Sequence, residues 1–112
     1  MMSDTSAAQH YCVVFVTASS EAEATAIAQA LVREKLAACI SLTPIKSIYR
    51  WQDRIHAEPE WQLAIKTTQH RFEALQSRVL ELHSYEVPEI LAIPIQAGSA
   101  MYLNWMSANV EA

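Results

Sequence analysis

The 112-residue sequence predicts a single α+β domain with the element order β-α-β-β-α-β and one further helix near its C-terminal end. Three observations predict this fold class. Four segments carry the apolar runs or alternation typical of strands, two longer segments carry apolar residues at helical spacing, and capping or turn residues separate them. This order is that of the split βαβ, or ferredoxin-like, arrangement. Its sheet has the strand order four-one-three-two.

The first half of the chain contains a strand, a helix and a long second strand. Tyr11 to Ala18 is a nearly continuous apolar run, typical of a strand that is covered on both faces. Ser20 and Glu23 form a Ser-x-x-Glu capping box, which predicts that a helix begins there. Ala38 to Trp51 predicts the second strand. The expected buried stripe of the helix consists of Ala24, Ile27, Ala28 and Leu31.

The second half repeats the pattern. Gln52 to Pro59 is polar and is expected to be a connection, whereas Glu60 to Thr68 alternates apolar and polar residues and predicts the third strand. Glu89 to Ala97 predicts the fourth strand, and Ser99 is placed to cap a short last helix. The second helix is predicted from apolar residues at spacings of three, four and three, which are Phe72, Leu75, Val79 and Leu82.

The prolines agree with this topology. In the order four-one-three-two, the second and fourth strands are the edges of the sheet. Pro44 and Pro94 fall on those two strands, where a missing N–H is tolerated. With the boundaries given above, the two central strands carry no interior proline.

The amino-acid composition indicates which classes of partner the chain is expected to have. Hydrophobic residues make up 52% of the chain, which is much for so small a core and predicts apolar surface that meets another copy. The net charge is −4, and the eight Lys and Arg residues form no cluster, which argues against a nucleic-acid partner or an anionic membrane surface. No apolar run approaches the roughly 20 residues of a membrane span.

The N-terminal segment differs from the rest. Met1 to His10 contains an acid, no basic residue and no apolar stretch, so it does not have the pattern of a signal peptide. We expect residues 1–10 to be a disordered tail ahead of a single domain over residues 11–112. The expected location is the cytoplasm.

Most motifs with a known chemistry are missing from the sequence. Gly98 is the only glycine, so neither a P-loop nor a G-x-G-x-x-G loop is possible. The sequence contains no H-E-x-x-H, C-x-x-C or G-x-S-x-G motif either. No nucleophile is placed beside a base, so we do not expect an enzyme.

Metal ligands form no local cluster. The four histidines have no ligand spacing among them, and each alone is more often a solvated surface residue. Cys39, between two apolar residues at the start of a strand, is more often a buried, inert thiol. A thiolate with an imidazole suits copper or zinc only where the fold brings the two together.

A group of aromatic and charged residues in the second half is the other candidate site. These residues lie at strand ends and in the last helix, so they could line one cleft for a small ligand. An ordinary aromatic core with a Lys–Glu pair explains them equally well. They are Trp51, Lys66, Tyr85, Glu89, Tyr102 and Trp105.

Five short pieces of the sequence stand in one register with a known family. They are Leu36-Ala37-Ala38-Cys39, Tyr49-x-Trp51, Glu60 through Lys66-Thr67, Tyr85-x-x-Pro88-Glu89 and Tyr102-Leu103-x-Trp105. With these pieces, the chain resembles the CutA family of divalent-cation tolerance proteins. The resemblance implies the ferredoxin-like fold and a homotrimer that pairs strand edges across subunits. It also implies tolerance of copper and other divalent cations, and a shape like that of the PII signalling proteins.

The resemblance also implies positions for copper ligands, namely a cysteine at the end of the first strand and a pair of histidines before a Pro-Tyr. In this sequence those positions hold Val16, Leu82 and His83, and Ser84 replaces the proline. One imidazole cannot hold copper selectively. We therefore expect no required cofactor and only weak binding of copper or another divalent cation, with His83 and Cys39 as the candidate ligands.

Three functions remain open. The first is a metal-responsive tolerance protein that binds cations through residues such as His83 and Glu86. The second is a PII-like signalling module, in which Lys66 neutralises a small anionic metabolite and Trp51 or Tyr85 packs on it. The third is a structural trimer that acts by binding a partner.

Overall fold

The computed structural model describes residues 10–111, which form one four-stranded antiparallel sheet with helices packed on it. Residues 1–9 of the predicted tail lie outside the described residues. A short 3₁₀ turn, Gln69–Arg71, precedes the second helix. The elements are β1 (Tyr11–Ala18), α1 (Glu21–Arg33), β2 (Cys39–Trp51), β3 (Arg54–Thr68), α2 (Phe72–Leu82), β4 (Ile90–Pro94) and α3 (Ala100–Ala108).

The strand order of the sheet is β2-β3-β1-β4, which confirms the predicted order four-one-three-two. Pro44 and Pro94 lie on the two edge strands, as predicted. Within the described residues, no helix is long and apolar enough to cross a membrane.

The two faces of the sheet differ because side chains alternate along each strand. One face carries α1 and α2, and its centre is fully buried. The other face is covered near Tyr11 by α3 but leaves Leu91 and Ile93 58% and 47% exposed on β4. The core between the sheet and the first two helices includes Val14, Val16, Ile27, Leu31, Leu63, Ile65, Leu75 and Val79.

The polar connection predicted over Gln52 to Pro59 is wrong. Only Gln52 and Asp53 form the turn, both with left-handed backbone (φ 52° and 62°), and β3 begins at Arg54. Residues 45–51 of β2 and 54–60 of β3 therefore form a two-stranded hairpin, here called the arm, that extends past the rest of the sheet. Residues 54–60 do alternate, with Ile55, Ala57 and Pro59 between polar residues, but the many charged residues and the proline predict a connection. Because the arm leaves the core, this apolar face stays exposed.

The arm also corrects the inference from the prolines. Pro59 lies inside β3, a central strand, opposite Lys46 of β2. It is tolerated because β1 ends at Ala18, opposite Trp61, so β3 has no second neighbour at Pro59. At this point β3 is an edge strand, where the missing N–H breaks no ladder.

The helix caps follow the sequence with small shifts. The Ser20 hydroxyl accepts a hydrogen bond from the Glu23 N–H (3.1 Å), but the Glu23 carboxylate accepts from the Ser19 N–H rather than from Ser20. In α1, Ala30 is buried, whereas the predicted Ala28 is only partly buried. The Ser99 hydroxyl accepts from the Tyr102 N–H, which confirms the predicted cap of α3.

The fourth strand is shorter than predicted, because β4 ends at Pro94, opposite Cys12. One further backbone hydrogen bond, from the Ile95 N–H to the Tyr11 carbonyl (3.0 Å), continues the pairing. Since β1 begins at Tyr11, residues 96–97 have no strand to pair with.

The Glu23 carboxylate ties the start of α1 to the chain after α2. It accepts hydrogen bonds from the Ser84 N–H (2.8 Å) and from the Ser19 hydroxyl (2.9 Å). Burial alone raises the pKa of Glu23, but the hydrogen bonds from Ser84 and Ser19 outweigh it and lower the pKa from 4.5 to about 2. The charged carboxylate therefore stabilises the folded state.

We predict that Glu23→Gln lowers the free energy of unfolding by roughly 1–2 kcal/mol at pH 7, since an amide accepts these hydrogen bonds less well. The folded-state pKa is depressed, so the contribution is present above pH 4.5 and is lost as the pH falls toward 2. Urea unfolding at several pH values measures the difference. Glu21→Gln, at an exposed position in the same helical turn, is the control, and an equal loss in both variants would contradict the assignment.

Candidate functional site

An open cavity of about 760 Å³ lies where the arm leaves the sheet, and it is here called the arm cavity. One wall is the arm, and the other is the segment of residues 84–89 between α2 and β4. Three predicted cleft residues line it, namely Trp51, Tyr85 and Glu89. The other lining residues are Thr17, Ser47, Ile48, Tyr49, Glu60, Ser84, Glu86, Val87 and Pro88.

His83 anchors the second wall. Its side chain is fully buried, and its Nε2 lies 2.7 Å from the Thr17 carbonyl, which can only accept a hydrogen bond. Its Nδ1 accepts from the Tyr85 N–H at 3.0 Å. These partners fit the tautomer with the proton on Nε2. Both ring nitrogens are thus used in positioning Tyr85, and a metal ion at His83 would have to displace one of these bonds.

Tyr85 connects the two walls. Its hydroxyl donates a 2.6 Å hydrogen bond to Oε2 of Glu60 on β3. Burial, this hydrogen bond and the Glu60 charge raise the pKa of Tyr85, so its hydroxyl stays protonated. Glu60 is only 6% exposed. Partial burial and the nearby Glu60 charge also raise the pKa of Glu89.

Aromatic side chains of the arm complete the cavity. Tyr49 stacks on His56 of the paired strand, with ring centroids 5.4 Å apart and planes 12° from parallel. Trp51, at the end of β2, remains 44% exposed. The His56 ring also lies 3.3 Å from the Trp51 carbonyl. The arm thus presents aromatic surface that is not used in the core.

The other predicted site residues form a second group at the opposite end of the sheet. Lys66 is paired with Cys39 across β2 and β3, and its ammonium donates to the Ser41 hydroxyl (2.7 Å) and the Ala64 carbonyl (3.2 Å). At about 3.3 Å per residue, Lys66 lies about 20 Å along β3 from Glu60. A structural pair of Lys66 with Glu60 or Glu89 does not form within the chain.

Tyr102 and Trp105 belong to this second group. Their rings lie 5.5 Å apart on α3. Burial, together with the hydrogen-bonded Cys39 thiol, raises the pKa of Tyr102. The predicted cleft is therefore divided within one chain into the arm cavity and the Cys39 end of the sheet. Its convergence across a boundary between copies stays a prediction.

The two candidate metal ligands do not meet. His83 is buried between α1 and β1, whereas Cys39 starts β2 at the other end of the sheet. Over residues 10–111, no three His, Cys, Asp or Glu side chains are grouped so that they could hold a metal ion.

Sequence reasoning did not assign Glu60 or Tyr49 to the cleft. The sequence places Glu60 at the start of the third strand and offers Lys66 as a possible structural partner, but it does not predict contact with Tyr85. Its place in the alternation with Gln62, Ala64 and Lys66 was the available signal, because it puts Glu60 on the face without α1 and α2. Tyr49 shares that face of β2.

Comparisons with known proteins agree with the fold and its extent. The family model described as "CutA1 divalent ion tolerance protein" matches residues 12–109. A divalent-cation tolerance protein CutA of Thermus thermophilus is 49% identical over 98 residues, which are 87% of this chain and 95% of that protein.

Two further relatives carry names of cell compartments. A solved structure named periplasmic divalent cation tolerance protein CutA, from Archaeoglobus fulgidus, superposes with a TM-score of 0.89 and is 39% identical, covering 90% of this chain and 99% of that one. The Arabidopsis thaliana protein named "Protein CutA, chloroplastic" is 41% identical over 84% of this chain and 52% of its own length. The chain therefore belongs to the CutA1 family of divalent ion tolerance proteins.

Proposed function

We propose that this chain is a binding protein whose contribution to divalent-cation tolerance works through a small molecule held in the arm cavity. One observation carries the proposal. The cavity, of about 760 Å³, has the size of a ligand pocket and combines apolar walls with a few converging polar groups. Those polar groups come from the sheet and from the 84–89 segment, and hydrogen bonds hold both in place.

We propose binding rather than catalysis for this cavity. The Tyr85 hydroxyl already donates to Glu60, and the raised pKa of Tyr85 disfavours the phenolate that a nucleophile or base would need. Removal of the Tyr85 proton would also place a second negative charge beside Glu60.

Direct metal binding is the competing function. A metal ion could bind His83 only by displacing one of the two hydrogen bonds of its ring nitrogens. We propose that copper and other divalent cations bind weakly, at exposed carboxylates and imidazoles, and that no resident cofactor is required.

A PII-like module that binds an anionic metabolite is the second candidate. Lys66 favours it, because its ammonium lies on the sheet face that α1 and α2 leave open. Within one chain, Lys66 is remote from the arm cavity. This function therefore requires a second copy that brings its arm cavity to the Lys66 end of the sheet.

We also propose a homotrimer. The arm has unpaired backbone on both outer edges, since β2 is an edge strand and β1 does not reach residues 54–60 of β3. It also carries exposed apolar side chains, with Ile48 71% and Ile55 70% exposed. Unpaired edges of this kind favour pairing with another strand.

The cytoplasmic location expected from the sequence stays a proposal. The names of similar proteins include two other compartments, the periplasm and the chloroplast. Fractionation of cells that produce the full chain would decide the location.

We predict that a small molecule bound by the assembled protein contacts the arm cavity. Ser47 is a half-buried arm residue that lines the cavity, so the indole of Ser47→Trp should fill the cavity and abolish binding while the fold persists. Thr43→Trp, on the same face of β2 but outside the cavity, is the matched control. Native mass spectrometry and backbone amide shifts report binding, and undiminished binding in Ser47→Trp would contradict the proposed function.

We predict a molar mass three times the 12.5 kDa of one chain by light scattering on a sizing column. Ile55→Lys should weaken the assembly, because it places a charge on the exposed apolar arm. Leu80→Lys, at a 51% exposed apolar position on α2, is the control. A monomer at micromolar concentration would rule out the trimer.

We predict no tight site for cupric ion in tag-free protein. Val16 and Leu82 offer no donor atoms, and both nitrogens of His83 are hydrogen-bonded. Calorimetry should show weak, non-stoichiometric heats. A submicromolar isotherm with one ion per chain, lost in His83→Ala, would show that the imidazole is free to bind.

A further inference from the structure

Within one chain, the arm cavity contains a buried carboxylate that forms no ion pair in the described residues. Glu60 is 6% exposed, and its hydrogen-bond partner is the uncharged hydroxyl of Tyr85. Among residues 10–111, no Lys, Arg or His side chain forms an ion pair with Glu60. A carboxylate removed from water without a cation is costly, so a positively charged ligand beside it is favoured.

The charge of the whole lining has the same sign. Glu60, Glu86 and Glu89 are the charged residues among those that line the cavity, and the described part of the chain contributes no basic residue to it. Glu60 and Glu89 lie close enough that the charge of one raises the pKa of the other. A cation between them would relieve this repulsion, whereas an anion would add to it.

The remaining walls favour an organic cation over a metal ion. Tyr49, Trp51 and Tyr85 contribute aromatic side chains, whose faces attract ammonium groups. A hard metal ion instead needs six or so oxygen ligands around one point. The described residues provide no such cluster of donors, and one Glu60 oxygen is already hydrogen-bonded to Tyr85.

We propose that the arm cavity binds a small organic cation, with its ammonium group between Glu60 and Glu89 and its carbon atoms against Trp51 and Tyr85. Ser47 also lines the cavity and carries a hydroxyl suited to a polar substituent of such a ligand. This inference rests on the proposed function, since it names the ligand class of the same cavity. It replaces the anionic metabolite for this site.

The test uses the full chain in its native assembly and five probes, one of which is Mn²⁺ as the metal ion, with calorimetry and amide shifts as readouts. Choline and 3,3-dimethylbutan-1-ol have the same shape but differ in charge, because a carbon replaces the nitrogen. Ethanolamine supplies a smaller ammonium, and inorganic phosphate supplies the anion. We expect choline or ethanolamine to bind roughly tenfold or more tightly than the neutral alcohol, and phosphate not to bind in the cavity.

Variants test separately how the carboxylate charge and the aromatic side chain contribute to binding of the cation. Glu89→Gln should weaken binding of the cation roughly tenfold and leave the neutral alcohol unchanged. Glu58→Gln removes an exposed carboxylate from the same arm, outside the cavity, and should change neither affinity. Trp51→Leu should weaken the cation more than the alcohol, because only the cation is attracted to the ring face.

Several outcomes would overturn the inference. They are equal affinity for choline and the alcohol, preferential binding of phosphate, binding of Mn²⁺ but of neither ammonium probe, no binding of any probe, or equal losses in Glu89→Gln and Glu58→Gln. Binding of phosphate or the alcohol that Ser47→Trp abolishes would still leave the proposed function standing. Binding that persists in Ser47→Trp would overturn both.

Discussion

The antiparallel pairing of β2 with β3 is the constraint on which the rest of the structure depends. The ladder runs without a break from Cys39 opposite Lys66 to Trp51 opposite Arg54. Over its first part the ladder belongs to the sheet under α1 and α2, and beyond Trp61 it continues as the free arm. The arm cavity exists because this backbone pairing continues after the hydrophobic core has ended.

The second wall depends on a different kind of interaction. The 84–89 segment has no strand or helix of its own, so its position rests on side chains. Glu23 holds the Ser84 N–H from α1, and His83 links the β1 carbonyl of Thr17 to the Tyr85 N–H. The bond between His83 and the Thr17 carbonyl is buried, which strengthens it and makes the loss of either partner costly. A residue that the family resemblance placed among metal ligands thus has a structural role in this chain.

Charge gives the two ends of the sheet different chemistry. The Lys66 end holds an ammonium that is bonded to a hydroxyl and a carbonyl, beside the thiol of Cys39. The arm end holds the buried carboxylate of Glu60, bonded to an uncharged phenol. Among residues 10–111, neither charge forms an ion pair. A trimer that brought the two ends of neighbouring copies together would pair the Lys66 ammonium with the Glu60 carboxylate. An organic cation would compensate the charge of Glu60 alone.

The sequence by itself determined the element order, the strand order and the helix caps. The caps and the elements are local, since the Ser20 and Ser99 caps and the alternation in Glu60 to Thr68 are set by residues a few positions apart. The strand order is not local, and it was predicted from the split βαβ order of the elements. Sequence reasoning also selected Trp51, Tyr85 and Glu89, which share the arm cavity. It selected Lys66, Tyr102 and Trp105 as well, which lie elsewhere in the chain.

Only the tertiary structure decided the length of β3 and the surroundings of the site residues. Ile55, Ala57 and Pro59 alternate with polar residues, but the proline and the surrounding charges predict a connection, so the cross-strand pairing establishes residues 54–60 as a strand. The bond between Tyr85 and Glu60 joins residues 25 positions apart. From the sequence alone, both ring nitrogens of His83 are candidate metal ligands. In the fold, both are hydrogen-bonded, because buried polar atoms form hydrogen bonds with the groups packed against them.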